Sequence, residues 1–217
     1  MVKLLYPLLE NPYRPKDIQE GIKVLKSNKL TIGSKTLNFE QAFTKKLKIK
    51  NSLMVNSGSS ANLLALQCLI NPYRKKRLKR GDEVIVPSLC WSTSLWPIVQ
   101  SGLKPVFVDI NISTLNIDLN DLKKKINKKT KAILLVHVLG NCTDMSELMK
   151  IKKKNNLFLI EDTCESLGSK YGNKFLGNFG KFGTYSFYYS HQITSGEGGM
   201  VVCNNIKDYN ILKSLRS

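Results

Sequence analysis

The sequence predicts an α/β domain on a mostly parallel sheet, and three observations carry that prediction. Apolar runs of four or five residues recur at 52–55, 83–86, 105–108, 132–136 and 157–160, each closed by polar or small residues. Short continuous runs of this kind read as strands buried on both faces. Stretches with helical spacing separate the runs, which is the alternation of a crossover-connected parallel sheet. The runs also stop at residues able to carry chemistry, and open α/β sheets gather their chemistry just past the carboxyl ends of the strands.

Pro15-Lys16-Asp17 opens a helical pattern in which Ile18, Ile22 and Leu25 are spaced by four and three, and Asn28 to Gly33 breaks it. A second helix is expected from about Leu37 to Leu47. Ser52-Leu53-Met54-Val55 is the first core strand; it ends in Asn56-Ser57-Gly58-Ser59-Ser60, and an apolar helix starts at once at Ala61. Strand, small polar turn and helix aim free N–H groups and the positive helix end at a phosphate. Serine also caps helices that bind nothing, so the pattern alone leaves both readings open. Arg74 to Arg80 reads as a charged linker, and Glu83-Val84-Ile85-Val86 as the next strand, closed by Pro87-Ser88. Trp91 follows a strand end directly, where an indole can stack on a heteroaromatic ring or serve as a core residue. Trp96, inside the next helix, reads as a packing residue.

Pro105-Val106-Phe107-Val108 and Ala132 to Val136 are two more strands, with an amphipathic helix from about Leu119 to Ile126 between them. His137 lies at a strand end and reads as a satisfied structural histidine, because no partner is spaced for catalysis. Asp144 is placed to cap a helix running to about Lys154. Leu157-Phe158-Leu159-Ile160 then stops at Glu161-Asp162, which puts a carboxylate where it can face a bound ring. A strand from Gly183 to Phe187 delivers Ser186 and then His191; the turn Gly196 to Gly199 leads into a strand from Met200 to Cys203, and a helical pattern opens at Ile206. An acid, a hydroxyl and an imidazole at successive strand ends make a cofactor site the leading reading.

A chain of 217 residues can bury one substantial core or two small ones. Its net charge of +18, from 34 basic and 16 acidic residues, raises nucleic-acid binding as a possibility. The lysines, however, are dispersed over several elements (123–125, 128–129, 152–154) and accompany no nucleic-acid motif, so solvated helix faces with a mild pull on anionic small molecules are the reading. Five cysteines without a C-x-x-C pair point to reduced thiols rather than a disulfide framework. No apolar stretch is long enough to span a bilayer and Met1-Val2-Lys3-Leu4 opens no signal-peptide pattern, which makes the cytoplasm the expected compartment.

Five motifs, in order along nearly the whole chain, carry a resemblance: Asn56-Ser57-Gly58-Ser59-Ser60-Ala61, Pro87-Ser88-Leu89-Cys90-Trp91, Glu161-Asp162, Ser186-Phe187 and Gly196-Glu197-Gly198-Gly199. Through them the chain resembles the sugar aminotransferase/dehydratase family, pyridoxal-phosphate proteins of the aspartate-aminotransferase fold that act on nucleotide-linked keto-sugars. The resemblance implies residues 51–217 as an incomplete cofactor-binding large domain, residues 1–50 as a helical segment contributing to the substrate pocket, and a small C-terminal domain absent from this chain. It implies Ser59, Ser60, Ala61 and Ser186 as phosphate binders, Trp91 against the pyridine ring, Asp162 at the ring nitrogen, Glu165 near the phenolic oxygen, and Lys29, Leu30, Thr31 and Ile32 as a substrate loop. It also implies a homodimer.

One departure decides the reaction that the resemblance implies. Where the family's aminotransferases carry the lysine that forms a Schiff base with the cofactor, this chain has His191. An imidazole holds no stable covalent link to the cofactor, so pyridoxal 5'-phosphate would serve as pyridoxamine 5'-phosphate, bound non-covalently. The histidine is the mark of the family's 3-dehydratase branch, in which it acts as a base and helps the C3 hydroxyl of a nucleotide-linked 4-keto-6-deoxy sugar leave as water, in the synthesis of surface-polysaccharide deoxysugars. Two sub-branches stay open: one acts on GDP-linked sugar and recharges its cofactor with glutamate, the other acts on CDP-linked sugar and carries an iron–sulfur cluster. Cys164 alone cannot hold a cluster, which favours the former. The rival readings are an aminotransferase using Lys181 or Lys174, and a fragment without catalysis that binds a partner chain or nothing.

Overall fold

The five apolar runs, together with the strands read at 183–187 and 200–203, assemble into one seven-stranded sheet. The computed structural model describes residues 12–217; the first eleven, including the start read as free of a signal-peptide pattern, lie outside the described residues. In chain order the elements are α1 (Pro15–Lys26), α2 (Ser34–Leu47), β1 (Asn51–Val55), α3 (Gly58–Ile70), β2 (Glu83–Pro87), α4 (Ser92–Gln100), β3 (Lys104–Val108), β4 (Ile110–Asn111), β5 (Asn116–Ile117), α5 (Leu119–Lys125) and β6 (Thr130–Val136). There follow α6 (Met145–Lys154), β7 (Phe158–Asp162), β8 (Lys170–Tyr171), β9 (Lys174–Phe175), β10 (Phe182–Ser186), β11 (Gly199–Cys203) and α7 (Ile206–Arg216). The main sheet has the order β1-β11-β10-β7-β6-β2-β3, while β4-β5 and β8-β9 are separate two-residue hairpins.

Six of the seven sheet strands run in one direction; β11 runs against both its neighbours, β1 and β10. The connection explains the exception. A parallel pair needs a crossover, usually a helix, and residues 187–198 between β10 and β11 contain none, so the chain turns back on itself.

Strand alternation divides the side chains between two helical layers. Val84, Val86, Ala132 and Leu134 point to the face covered by α3, α4 and α7, where they meet Leu66, Leu69, Ile98 and Leu212. Ile85, Ile133, Leu135 and Leu159 point to the opposite face and meet Leu122, Leu148 and Ile151 of α5 and α6. Truncating one of these fully buried leucines to alanine costs about 2–5 kcal/mol. On the β10–β11 side, Phe43 and Leu47 of α2 close the second face over Tyr185, Phe187, Met200 and Val202. Thus α2 is part of the sheet's own core, whereas α1 buries none of its residues and shows Ile18, Ile22 and Leu25 to solvent.

Two sequence expectations change here. Arg74 of the charged linker is not solvated: it pairs with Asp208 of α7, and both side chains are largely buried. Trp96 does not pack inside this chain but stands 55% exposed on the outer side of α4, because the helix's inner face is already filled by Ser94, Pro97 and Ile98.

Candidate active site

The carboxyl ends of β1, β2, β6, β7 and β10 and the start of β11 meet along one edge of the sheet, and the sequence-predicted residues gather there. At the start of α3, Ser57 is extended and caps the helix: its Oγ accepts the Ser60 N–H at 3.1 Å and donates to Ser60 Oγ at 3.1 Å. The Ala61 N–H is bonded to the Ser57 carbonyl at 3.0 Å, as in any helical turn. The N–H groups of Gly58 and Ser59 have no acceptor among the described residues, so these two first-turn donors and the Ser59 hydroxyl are what the helix end offers an anion. Ser186, almost fully buried, lies against the same turn, with its Oγ accepting the Tyr188 N–H at 3.2 Å.

The turn is built by close backbone approach. A Cβ on Gly58 would stand 2.7 Å from Cys164 Sγ and 2.8 Å from Ser186 Cβ, and one on Gly199 would drive into the Ser57–Gly58 peptide. Glycine at both positions lets β11, β10 and the loop after β7 close around the start of α3. The Cys164 thiol is pushed far above its ordinary pKa, first by burial and then by the neighbouring Asp162 carboxylate.

Asp162 closes β7 and is 5% exposed. Its Oδ2 accepts from Asn62 Nδ2 at 2.7 Å and from Ser94 Oγ at 2.8 Å, and its Oδ1 from the Cys164 N–H at 3.1 Å. Ser94 and Trp91 share the first turn of α4, joined by the Ser94 N–H to Trp91 carbonyl bond of 2.9 Å. Trp91 itself is 73% exposed, which leaves its indole face uncovered at the rim.

His191 lies in the 187–198 loop, near enough to Glu165 and Asp162 for both carboxylates to favour its charged form. Burial outweighs them and brings the imidazole below its ordinary pKa. The loop is tied to the segment after β7, where Gln192 Nε2 donates to the Glu165 carbonyl at 2.6 Å. That segment is tied in turn to the residues after β6, where Glu165 Oε2 accepts the Leu139 N–H at 3.0 Å. A cleft of about 860 Å³ separates residues 191–195 from the start of α1, where Tyr13, Arg14, Asp17 and Ile18 form its other wall. Lys29, Leu30, Thr31 and Ile32 are exposed in the turn between α1 and α2 and do not line this cleft.

His137 has the structural place expected of it and a partner that spacing did not reveal, but it is satisfied on one side only, since its buried Nδ1 has no hydrogen-bond partner among the described residues. It is fully buried, and its Nε2 lies 3.1 Å from Glu161 Oε2. Glu161 also accepts the backbone N–H groups of Gly177, Phe179 and Gly180, so one carboxylate fixes the loop that enters β10. The two alternative lysines stand elsewhere: Lys181 precedes β10 and pairs with Asp208 at 2.5 Å, and Lys174 lies over the Phe179 ring. Lys181 is thus at the amino end of a five-residue strand whose carboxyl end is in the site, roughly 17 Å away at 3.4 Å per residue.

Sequence reasoning missed Asn62, Ser94 and Thr184, the groups behind Asp162. The available signal was Asn62, a lone amide in an otherwise apolar helix. Among the described residues there is no cluster of three or more His, Cys, Asp or Glu able to hold a metal, and no helix long and apolar enough to cross a membrane.

The profile of the DegT/DnrJ/EryC1/StrS aminotransferase family matches residues 13–217. A GDP-4-keto-6-deoxy-D-mannose 3-dehydratase of Escherichia coli O55:H7 is 42% identical over 212 residues, 98% of this chain and 54% of that protein. The E. coli GDP-4-keto-6-deoxy-D-mannose 3-dehydratase solved with bound hydrated PLP superposes with a TM-score of 0.92 at 43% identity, covering 96% of this chain and 53% of that one. A GDP-4-keto-6-deoxymannose 3-dehydratase with a trapped PLP–glutamate geminal diamine gives a TM-score of 0.92 at 42% identity, covering 96% and 54%. The chain therefore spans about half the length of the relatives it matches.

Proposed function

The chain belongs to the DegT/DnrJ/EryC1/StrS aminotransferase family, and from that premise we propose that it is the large-domain part of a pyridoxal/pyridoxamine 5'-phosphate-dependent nucleotide-sugar 3-dehydratase. The observation that carries the reading is His191, an imidazole beside two carboxylates at the strand-end edge, in a chain 42% identical to a GDP-4-keto-6-deoxy-D-mannose 3-dehydratase.

The residues at the edge fit a phosphorylated pyridine. Gly58 and Ser59 N–H, the Ser59 hydroxyl and Ser186 would hold the phosphate, with the helix end adding its partial positive charge. Ser60 and Ala61, whose N–H groups are committed to Ser57, would hold the turn's shape. Asp162, with acceptor capacity left on Oδ1, would hold a proton on the ring nitrogen. The uncovered indole of Trp91 would take one ring face, and Glu165 would stand on the side of His191. When bound, the cofactor supplies an amine that joins the sugar's 4-keto carbon and a ring that draws electrons from it. Because His191 is shifted toward its neutral form, it is ready near pH 7 to accept a proton at an imidazole nitrogen and return it to the departing C3 hydroxyl.

The substrate class is a nucleotide-linked 4-keto-6-deoxy sugar, GDP-linked by likeness to the relatives, with glutamate as the amino donor and a second copy of the chain as partner. The cleft between His191 and α1 would take the sugar, and residues 29–32 would reach it from a neighbouring subunit. Amino-group exchange through Lys181 or Lys174 is disfavoured, since both are held away from the carboxyl edge.

Two measurements test this reading. Titration with pyridoxal 5'-phosphate should change the absorbance spectrum, and borohydride followed by peptide mapping should yield no phosphopyridoxyl-lysine. With GDP-4-keto-6-deoxymannose and glutamate, a 3-deoxy product should form that His191→Asn does not make. A lysine adduct, or turnover to an amino sugar by the unmodified chain, would overturn the dehydratase assignment.

A further inference from the structure

Behind Asp162 lies a buried chain of side chains that none of the site's motifs includes. Thr184 Oγ1, on β10, donates to Asn62 Oδ1 at 2.6 Å, much closer than its other acceptor, the Glu161 carbonyl at 3.3 Å. With its oxygen accepting from Thr184, Asn62 turns its amide nitrogen to Asp162 Oδ2 at 2.7 Å, and the second amide hydrogen points to the Thr93 carbonyl at 3.4 Å. The reverse orientation would set the amide oxygen against the carboxylate, so the Asn62 amide has one workable setting. Ser94 Oγ donates its single hydrogen to the same Oδ2 at 2.8 Å. Asn62, Ser94 and Thr184 are each buried to 1% exposure or less.

The consequence is an asymmetric carboxylate. An aspartate's terminal torsion has a broad, two-fold profile, so covalent geometry does not fix the plane of the group; its donors do. Oδ2 takes two donors, filling its two lone pairs, while Oδ1 takes only the Cys164 N–H. One acceptor position remains, and it is on Oδ1.

We propose that Thr184, Asn62 and Ser94 are positioning residues that saturate Oδ2 of Asp162, fix the plane of its carboxylate and present Oδ1 alone to the protonated ring nitrogen of the cofactor. This rests on the cofactor reading above. The three residues come from β10, α3 and α4, so the strand that carries Ser186, the helix that starts at the phosphate turn and the helix that starts at Trp91 all converge on one carboxylate. The phosphate, ring-nitrogen and ring-face contacts are thereby set in one frame.

The test uses the full chain with pyridoxal 5'-phosphate and with cofactor labelled with nitrogen-15 in the ring. Thr184→Val keeps shape and removes the hydroxyl, Ser94→Ala removes one donor to Oδ2, and Thr184→Ser restores the hydroxyl. Thr184→Val and Ser94→Ala should each weaken cofactor binding roughly tenfold, and should lower the pH at which the bound ring nitrogen loses its proton, as read from its nitrogen chemical shift. Thr184→Ser should recover both. Ser94→Ala carries the test if Thr184→Val does not fold. If the unmodified chain binds no cofactor, the function reading fails and the proposal falls with it. If the unmodified chain binds and the variants lose thermal stability alone, with affinity and ring-nitrogen titration unmoved, the residues are merely structural and only the positioning proposal is overturned.

Discussion

Gly58, the first residue of α3, packs directly on Cys164 from the loop after β7, leaving no room for a side chain between them. The contact joins the two halves of the candidate site, the phosphate turn and the Asp162 loop, through a thiol kept protonated by its burial.

Gly58→Ala should therefore overpack the turn and cost about 1–3 kcal/mol of stability, with a larger loss of pyridoxal 5'-phosphate affinity, because the displaced group is the donor turn itself. Adding Cys164→Ala should recover only part of the loss, since Ser186 Cβ presses on the same position. A double-mutant cycle in urea and cofactor titrations read both terms. Independent, additive effects of the two substitutions would contradict the contact.

Asp208 is a second point of strain if altered. It is 4% exposed and shared by Arg74 and Lys181, two cations that face each other across it. Asp208→Asn should leave those charges unpaired in a half-buried place and destabilise the chain by about 3–5 kcal/mol, whereas Lys181→Met, which removes the more exposed cation, should cost far less. Urea midpoints at one pH and salt concentration distinguish the two.

Thiol accessibility should follow burial. Cys68 and Cys203 are buried and pushed up to about 11, chiefly by that burial, whereas Cys90 and Cys142 are partly exposed and less displaced. Iodoacetamide at pH 8 should label Cys90 and Cys142 first, and label Cys68 and Cys203 only on unfolding. Mass spectrometry of timed samples gives the order, and early modification of Cys68 would contradict the packing of α3 against α7.

Most strands of the main sheet were legible in the sequence as apolar runs, because burial on both faces favours continuous apolar residues. The exception is β10, Phe182-Gly183-Thr184-Tyr185-Ser186, which was legible only as a short segment between turns. The four strands of the small hairpins were not, since two residues are too few for a period to show. The antiparallel sense of β11 had one signal, the absence of a helical pattern between 187 and 198. Asp162, Ser186 and His191 were legible as residues at run ends. Their supporting groups were not: Asn62 and Ser94 meet Asp162 across 100 and 68 residues of sequence, a pairing that only the folded sheet produces. Trp96 misled because an apolar residue in an apolar helix reads alike whether its face is inward or outward.

The final prediction concerns pH and His191. Burial holds its folded pKa below the ordinary histidine value, with Glu165 and Asp162 pulling weakly the other way. Between the folded value and the unfolded one, about 6.5, the unfolded chain binds more protons than the folded chain. Stability therefore rises with pH across that window: the contribution is fully present above about 6.5 and is lost as pH falls through the folded value. His191→Gln should flatten this part of the stability profile in urea midpoints taken from pH 7.5 to 5. The carbon-bound ring proton of His191, assigned by its disappearance in that variant, should titrate below 6.5. Glu165→Gln, which removes the stronger counter-charge, should move that titration further down. An upward movement, or a His191 resonance that titrates at or above 6.5, would show that the neighbouring carboxylates outweigh burial and that the imidazole is not held in its neutral, base-ready form at neutral pH.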